Sequence, residues 1–433
     1  MKKLAIILAL VLTTTLRAAD SWPEWRGSTG QGISTAKNLP IKWDTKTNIG
    51  WQTKVPGKGW STPVIDRGIV WVTTGIDRAA KGQDRARRQK ASTNSQPLII
   101  SEHVSHRVIG IDLKSGKIKH NYELLTQKDP QYIHRVNTYA TPSPIIDGDR
   151  LYCHFGPSGI ACLDIKSGKV LWRNRSLKVK HENGPGSSPV LYKDLLIIHC
   201  DGIDVQYIVA LNKNTGKQAW KTPRSGKLRS NPQLKKSYAT SLVTKVNGKA
   251  QVISPAADWI YGYEPKSGKE LWKLSYGDLG FSNAGRPIAG EGMIYANTGY
   301  MQSQLLAIKI DKAGQPQVKW RYKKQVPNVA SCLLVDGLIY FASDKGIASC
   351  LDAKTGQTYW TKRIGKMFWA APLYADGRIH FFDRDGATTV VAPGKKYKRL
   401  SVNKLPGTLY ATAAAVDGSL IIRTSKAVFC LRK

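Results

Sequence analysis

One phrase of eleven residues, Cys162-Leu163-Asp164-Ile165-Lys166-Ser167-Gly168-Lys169-Val170-Leu171-Trp172, is written again and again along this chain. It recurs from Gly110 to Lys117, from Ala210 to Trp220, from Gly262 to Trp272 and from Cys350 to Trp360. Degenerate copies run from Ala307 to Trp320, with an insertion, and from Val390 to Leu400. The turn glycines Gly116, Gly168, Gly216 and Gly268 stand 52, 48 and 52 residues apart, and Trp320 and Trp360 stand 40 apart. Periods of about 40–50 residues made of short alternating strands mark the blades of a propeller.

A second phrase precedes the first in each period. It is Ser61 to Trp71, and its relatives are Pro142 to Tyr152, Ser187 to Ile197, Arg286 to Tyr295, Ser331 to Tyr340, Ala371 to His380 and Ala413 to Leu420. The pairs Asp147-Gly148, Asp336-Gly337, Asp376-Gly377 and Asp417-Gly418 supply the positive φ of a tight hairpin. Each blade then reads strand A, Asp-Gly turn, strand B, loop, strand C, Asp-x-x-(Ser/Thr)-Gly turn, and strand D carrying the Trp. Strand A begins near 61, 140, 187, 239, 286, 330, 370 and 411, which makes eight blades. The last, Leu409 to Lys433, stops after strand C, whereas Ile49 to Lys54 is a strand D with no A, B or C before it. The expectation is an all-β, eight-bladed β-propeller of four-stranded antiparallel blades. The N-terminal strand closes the ring and hides its open edge.

Composition agrees. A hydrophobic content of 41% with 13 Trp and 18 Tyr excludes a disordered chain, and 39 Gly and 21 Pro without a strict period exclude collagen. Residues 1–18 read as an export signal: Lys2 and Lys3, an apolar stretch from Leu4 to Leu12, then small residues with cleavage expected after Ala18. No apolar run reaches the roughly 20 residues of a spanning helix. A single propeller domain over residues 19–433, periplasmic or secreted and monomeric, is expected.

The phrase from Cys162 to Trp172, with its copy from Cys350 to Trp360, resembles the repeat of pyrroloquinoline-quinone (PQQ) propellers. The eight-bladed arrangement is similar to BamB, a non-enzymatic outer-membrane assembly scaffold. Trp22-Pro23-Glu24-Trp25-Arg26-Gly27, His181 to Pro189 and Ser254 to Trp259 resemble exported PQQ-repeat propellers of planctomycete-type bacteria. The resemblance implies the fold. It leaves function open, because these repeats are structural: the Gly makes the turn and the Trp packs between blades.

Three functional classes are weighed. A PQQ-dependent quinoprotein dehydrogenase requires PQQ, a Ca²⁺ held by carboxylate and amide oxygens, and an Asp base. The alcohol dehydrogenases among these relatives also carry a disulfide between adjacent cysteines. The chain has no adjacent Cys pair and no acid cluster. No catalytic residue, metal site or cofactor is therefore expected. A carbohydrate-active propeller would need His134, Tyr139, His181 and Arg286 at one funnel. A non-catalytic binding scaffold needs only a face.

Alternating strand direction gathers the D–A and B–C loops on one side of the ring. There they place Trp60, then His134, Asn137 and Tyr139, then His181 and Asn183. Next come Arg229 and Asn231, Asp258 and Trp259, and Phe281, Asn283 and Arg286, and finally Phe368, Trp369 and Tyr410. Aromatic, amide and arginine side chains together suit a binding patch. The same side receives a B–C insertion of the first blade, about residues 75–106, carrying Arg78, Lys81, Arg85, Arg87, Arg88 and Lys90 with Asp84 the one acid between them. On a chain of net charge +36, this basic run points to an anionic glycan, lipopolysaccharide or an acidic protein as partner. Nucleic acid is not expected outside the cell.

Two smaller motifs complete the reading. Cys153 and Cys162 flank the B–C turn of the second blade. Pairing Phe155 with Ile160 would set them opposite each other, as a cross-strand disulfide or as two packed thiols. His103 and His106 lack a third zinc ligand and read as solvated loop histidines.

Overall fold

The computed structural model describes residues 21–278, 280–300 and 302–433; the export signal expected over residues 1–18 lies outside them. Eight four-stranded antiparallel sheets form the blades, and in seven of them the strands follow in chain order from A to D. Blade 6 is representative, with strands Leu333–Val335, Leu338–Ala342, Ile347–Asp352 and Thr358–Arg363. Its A–B turn places Asp336 and Gly337 at φ 49° and 72°, the two positive values of a type I′ hairpin. In its C–D turn, Asp352 Oδ1 accepts from the Thr355 backbone N–H (2.9 Å) and hydroxyl (3.0 Å). Asp112, Asp164, Asn212 and Glu264 play the same part in other blades.

The repeated Trp joins blade to blade. The indole of Trp51 lies over Gly116 and donates to the Leu113 carbonyl (2.8 Å) in the next blade's C–D turn. Trp172 sits on Gly216 and donates to Lys213 O (3.0 Å), Trp220 on Gly268 to Pro265 O (3.1 Å), and Trp320 on Gly356 to Ala353 O (3.1 Å). Any Cβ on these glycines would fall inside the ring system. Trp272 departs from the pattern. The turn it would meet, Asp311 to Gln315, is the degenerate one, and Trp272 donates instead to Gln251 Oε1 of its own blade (2.8 Å).

Blade 8 is completed from the other end of the chain. Ile49–Thr53 pairs antiparallel with Val428–Leu431, setting Trp51 opposite Cys430 and Thr53 opposite Val428. Strands A of neighbouring blades lie against one another around the axis. A hydroxyl relay stitches their leading ends: Thr62 N–H donates to the Ser143 hydroxyl, Ser143 N–H to Ser188, and Ser188 N–H to Thr240, each at 2.9 Å.

The segment before the closing strand runs through that axis. Trp22 exchanges backbone hydrogen bonds with Ile65 (2.8 Å each), and Pro23 O accepts from Ile146. Gln31 Oε1 accepts from Ala289 N–H (2.7 Å), Arg26 donates to Cys332 O (2.6 Å), and Gly32 and Ser34 bond Tyr374. Six of the eight blades thus touch Trp22 to Ser34, with Ser34 Oγ reaching Ala415 O (3.1 Å). Trp22 and Arg26 are among the largest fully buried side chains.

Two cysteine and histidine expectations are corrected. In blade 2, Ile160 pairs with His154, not Phe155, because Gly159 (φ 120°) closes a shorter turn and its carbonyl accepts from Phe155 N–H. Cys153 therefore faces Ala161 and Cys162 faces Tyr152, on opposite sides of the sheet. They pack into different hydrophobic clusters as free thiols. His103 and His106 lie on a strand, Ser101–Asp112, and His106 is fully buried against Phe155, ring centroids 4.5 Å apart.

Candidate binding face

The insertion of blade 1 is a folded arm. Strands B and C extend to Ile69–Ala79 and Ser101–Asp112, and a nine-residue helix α1, Gly82–Lys90, caps them. Asp84 in its first turn and Arg87, Arg88 and Lys90 in its last suit the helix dipole. The arm then crosses the loop face. Leu98–Ile99 pairs with Ile133–His134, Asn94 donates to Asn183 Oδ1 (2.8 Å), and Thr93 Oγ1 accepts from Gln233 (3.1 Å).

Of the six basic residues expected to act together, three are engaged. Arg78 pairs with Glu102. Arg87 pairs with Asp84 (2.8 Å), which holds the Asp84 carboxyl below its usual range. Arg88 is largely buried and donates to Ser101 O (2.8 Å) and Pro130 O (2.5 Å), tying the helix to the ring. Lys81, Arg85 and Lys90 project into solvent without an acidic partner among the described residues.

Over blades 7, 8 and 1, three D–A loops build an aromatic ledge. Tyr410 lies between Trp60 (centroids 4.5 Å) and Trp369 (5.4 Å). The Arg384 guanidinium, from the B–C turn of blade 7, sits 5.2 Å from the Trp369 ring and 5.9 Å from that of Tyr410. Each indole is fixed by its N–H, Trp60 to Val136 O and Trp369 to Asp344 Oδ1, both 2.9 Å. Burial pushes the Asp344 carboxyl up from its usual range against these hydrogen bonds.

A second polar sector lies over blade 4. Arg229 clamps Asp258 with two hydrogen bonds (2.6 and 2.7 Å), and Trp259 donates to Lys227 O (3.0 Å). Asn231 caps a short turn by accepting from Gln233 N–H (3.0 Å), and Phe281 meets Tyr300 edge-on. Asn137 donates to Asn183 O (2.7 Å), which ties two loops, and His134 lies on the small strand that receives the arm.

Several residues placed on this face by the sequence are interior. Tyr139 and His181 are buried, with the Tyr139 hydroxyl and His181 Nδ1 unpartnered. Asn283 is buried and bonds Ala256 O (2.8 Å) and the Tyr276 hydroxyl (2.6 Å). Phe368 is core. Arg286 points inward to Glu24 (3.2 Å) and Trp25 O (2.8 Å). The His134, Tyr139, His181 and Arg286 set of a carbohydrate-active funnel is therefore not presented together, because three of its members are consumed in packing.

Sequence reasoning missed one cluster. Arg224 is fully buried and donates to both oxygens of Asp201 (3.1 and 3.2 Å), to Ser254 Oγ (2.9 Å) and to the Tyr263 hydroxyl (3.2 Å). His199 Nε2 lies 2.9 Å from Asp201 Oδ2. Burial raises the Asp201 carboxyl, but Arg224 and His199 outweigh it and hold it below the usual range. Every member is sealed from solvent, so the cluster fastens blade 3 to blade 4. Its residues fall at unrelated points of the repeat, and no spacing signals them. No group of three or more His, Cys, Asp or Glu side chains converges as a metal site among the described residues.

A profile of the family described as outer membrane protein assembly factor BamB matches residues 31–222, 204–335 and 317–397. The chain belongs to the BamB family. BamB from Nitrosomonas eutropha is 24% identical over 156 residues, an alignment spanning 32% of this chain and 38% of that relative. BamB from Moraxella catarrhalis superposes with a TM-score of 0.58 at 14% identity, over 88% of this chain and 98% of that one. The same architecture appears in a europium-containing methanol dehydrogenase (TM-score 0.65, 12% identity, 95% and 90% covered). It appears again in the quinohemoprotein alcohol dehydrogenase of Comamonas testosteroni (0.59, 11%, 95% and 80%). At these identities the structural likeness speaks for fold. No described helix is long and apolar enough to cross a membrane.

Proposed function

We propose that this BamB-family propeller is a non-catalytic scaffold of the bacterial envelope that holds a partner on its loop face and works without a quinone or metal. The observation that carries the reading is the ledge of Trp60, Tyr410 and Trp369 under Arg384, contributed by loops of three different blades. Aromatic and arginine side chains fixed by their own hydrogen bonds are the material of binding hot spots. The name of the Nitrosomonas relative, an assembly factor, favours a protein partner. The charge of +36 and the solvent-facing cations of the arm favour an acidic one, or an anionic glycan or lipopolysaccharide.

The test is cross-linking and recovery of the tagged protein from its own cell envelope, beside a Trp369→Ala/Tyr410→Ala variant. A partner recovered by the parent and lost by a folded variant supports the scaffold. Dye-linked alcohol or sugar oxidation by the parent with added PQQ and Ca²⁺ would overturn it.

A further inference from the structure

At the seam where blade 8 meets blade 1, a cleft of about 280 Å³ opens on the loop face. Four cationic side chains line it, Lys58, Arg135, Arg423 and Lys426, and no Asp or Glu does. Arg423 stands at its back, 4% exposed. Its Nη1 donates to Ser61 Oγ (2.7 Å) and to Thr73 O (2.9 Å), which are neutral acceptors. No carboxylate comes within ion-pairing distance among the described residues.

That situation is unlike the other buried arginines. Arg224 has Asp201 and Arg286 has Glu24. Arg26 also lacks an acid, but it is fully buried against the axial segment and is not part of this cleft. A guanidinium taken out of water without a counter-charge is costly, and burial alone pulls Arg423 down to about 9. The chain also makes room for it: a Cβ on Gly59 would lie 2.6 Å from Arg423 Nη2. The rest of the lining includes Trp60, Asn137, Thr138 and Ser425. At roughly 30 Å³ per water, the volume holds several waters or one molecule the size of a monosaccharide.

We infer that this seam cleft is a binding site for a small sugar acid, whose carboxylate or sulfate group pairs with Arg423 while Lys58, Arg135 and Lys426 guard the mouth. A planar guanidinium is matched to two oxygens of either group. The ligand would touch both blades that the closing strand joins, so binding stabilises the ring by mass action. The cleft shares Trp60 with the aromatic ledge, but the site needs no macromolecular partner, so its test is separate from that of the scaffold.

Thermal shift and calorimetry on the full chain test it with four probes: glucuronate, glucose 6-sulfate, inorganic sulfate and glucose. Glucuronate or glucose 6-sulfate should raise the melting temperature and bind with a saturable isotherm, and whichever binds tighter identifies the anionic group. Glucose should do neither. Arg423→Gln should weaken binding by about tenfold or more. Because that variant alters a buried position, Lys58→Gln/Lys426→Gln at the exposed mouth provides a second measure and should weaken binding several-fold with unchanged melting of the free protein. Failure of both sugar acids to bind would overturn the site, as would affinities unchanged in both variants. Inorganic sulfate binding as tightly as either sugar would overturn the sugar assignment. Loss of envelope partners with sugar-acid binding intact would instead strike only the scaffold.

Discussion

Glu24 and Arg286 are 262 residues apart in the chain and meet at 3.2 Å inside the axial channel. Arg286 occupies the position two residues before strand A that carries a hydroxyl in most blades, Thr62, Ser143, Ser188, Thr240, Ser331 and Thr412. Where those residues serve the hydroxyl relay, Arg286 reaches across the axis and anchors the N-terminal segment. Gly30 lies so close that a Cβ there would be 2.5 Å from the Arg286 Cζ. The plug and its receptor are therefore fitted to each other.

Removing one partner should expose that fit. Glu24→Ala leaves Arg286, whose side chain is 2% exposed, without its counter-charge, at an expected cost of about 3–5 kcal/mol. Glu24→Gln/Arg286→Thr removes both charges and restores the hydroxyl of the other blades, so most of that loss should return. Urea midpoints of the two variants and the parent measure it. Equal midpoints for Glu24→Ala and the parent would show that the pair does not anchor the plug.

Acid should weaken the fold through its histidines. Burial pushes His106 and His181 down to about 3 and His154 and His380 to about 4. An unfolded imidazole titrates near about 6.5. Below that pH the unfolded chain binds protons that the folded chain refuses, so stability falls as pH drops from about 6.5 towards 4. Each such group contributes a slope of up to about 1.4 kcal/mol per pH unit. His106 packs on Phe155 with both ring nitrogens unpartnered. His106→Phe should therefore fold and should flatten the pH dependence by about one proton. A slope identical to the parent's would refute the assignment.

The indole seats predict a contrast between two glycines of similar φ. At Gly216 (φ 70°) an alanine methyl would stand 2.5 Å from the Trp172 ring, whereas at Gly314 (φ 86°) it would meet nothing within 4 Å. Gly314→Ala should cost only the left-handed backbone penalty, about 1 kcal/mol. Gly216→Ala should cost that and the displaced indole, about 2–4 kcal/mol in all. Melting of the two variants side by side decides it, and equal losses would mean the Trp172 seat is not tight.

The repeat made the ring, the blade count and the closing strand legible, because Gly, Asp-Gly and Trp each answer a local demand of turn or seam. The axial plug was not legible. Trp22 to Ser34 has no periodicity, and its partners, among them Ile65, Arg286, Cys332 and Tyr374, lie in blades spread around the ring. The exception it imposes at Arg286 looks, in sequence, like an arginine on a loop. The cysteine register failed for a different reason: a single residue in the turn at Gly159 moves every side chain of the strand to the opposite face. For the binding face, loop positions are readable but side-chain directions are not, which is why the sequence places Tyr139, His181 and Asn283 on a surface from which they turn inward.

The arm of blade 1 supplies the last prediction. Attraction to a polyanion depends on cations that are free to approach it, since at physiological ionic strength charges beyond about 8 Å are screened. Arg78, Arg87 and Arg88 already face Glu102, Asp84 and backbone carbonyls, whereas Lys81, Arg85 and Lys90 have no such partner among the described residues. Lys81→Gln/Arg85→Gln/Lys90→Gln should keep the parent's stability, because none of the three is buried, and should lower affinity for an acidic polysaccharide, with a shallower salt dependence. Arg88→Gln should behave oppositely. It loosens the helix from Ser101 and Pro130, so proteolysis within residues 80–100 should quicken while the salt dependence changes little. Binding measured across a salt series, together with limited proteolysis, separates the two. If the triple variant binds as the parent does at every salt concentration, the arm is a strut and its charge serves solubility alone.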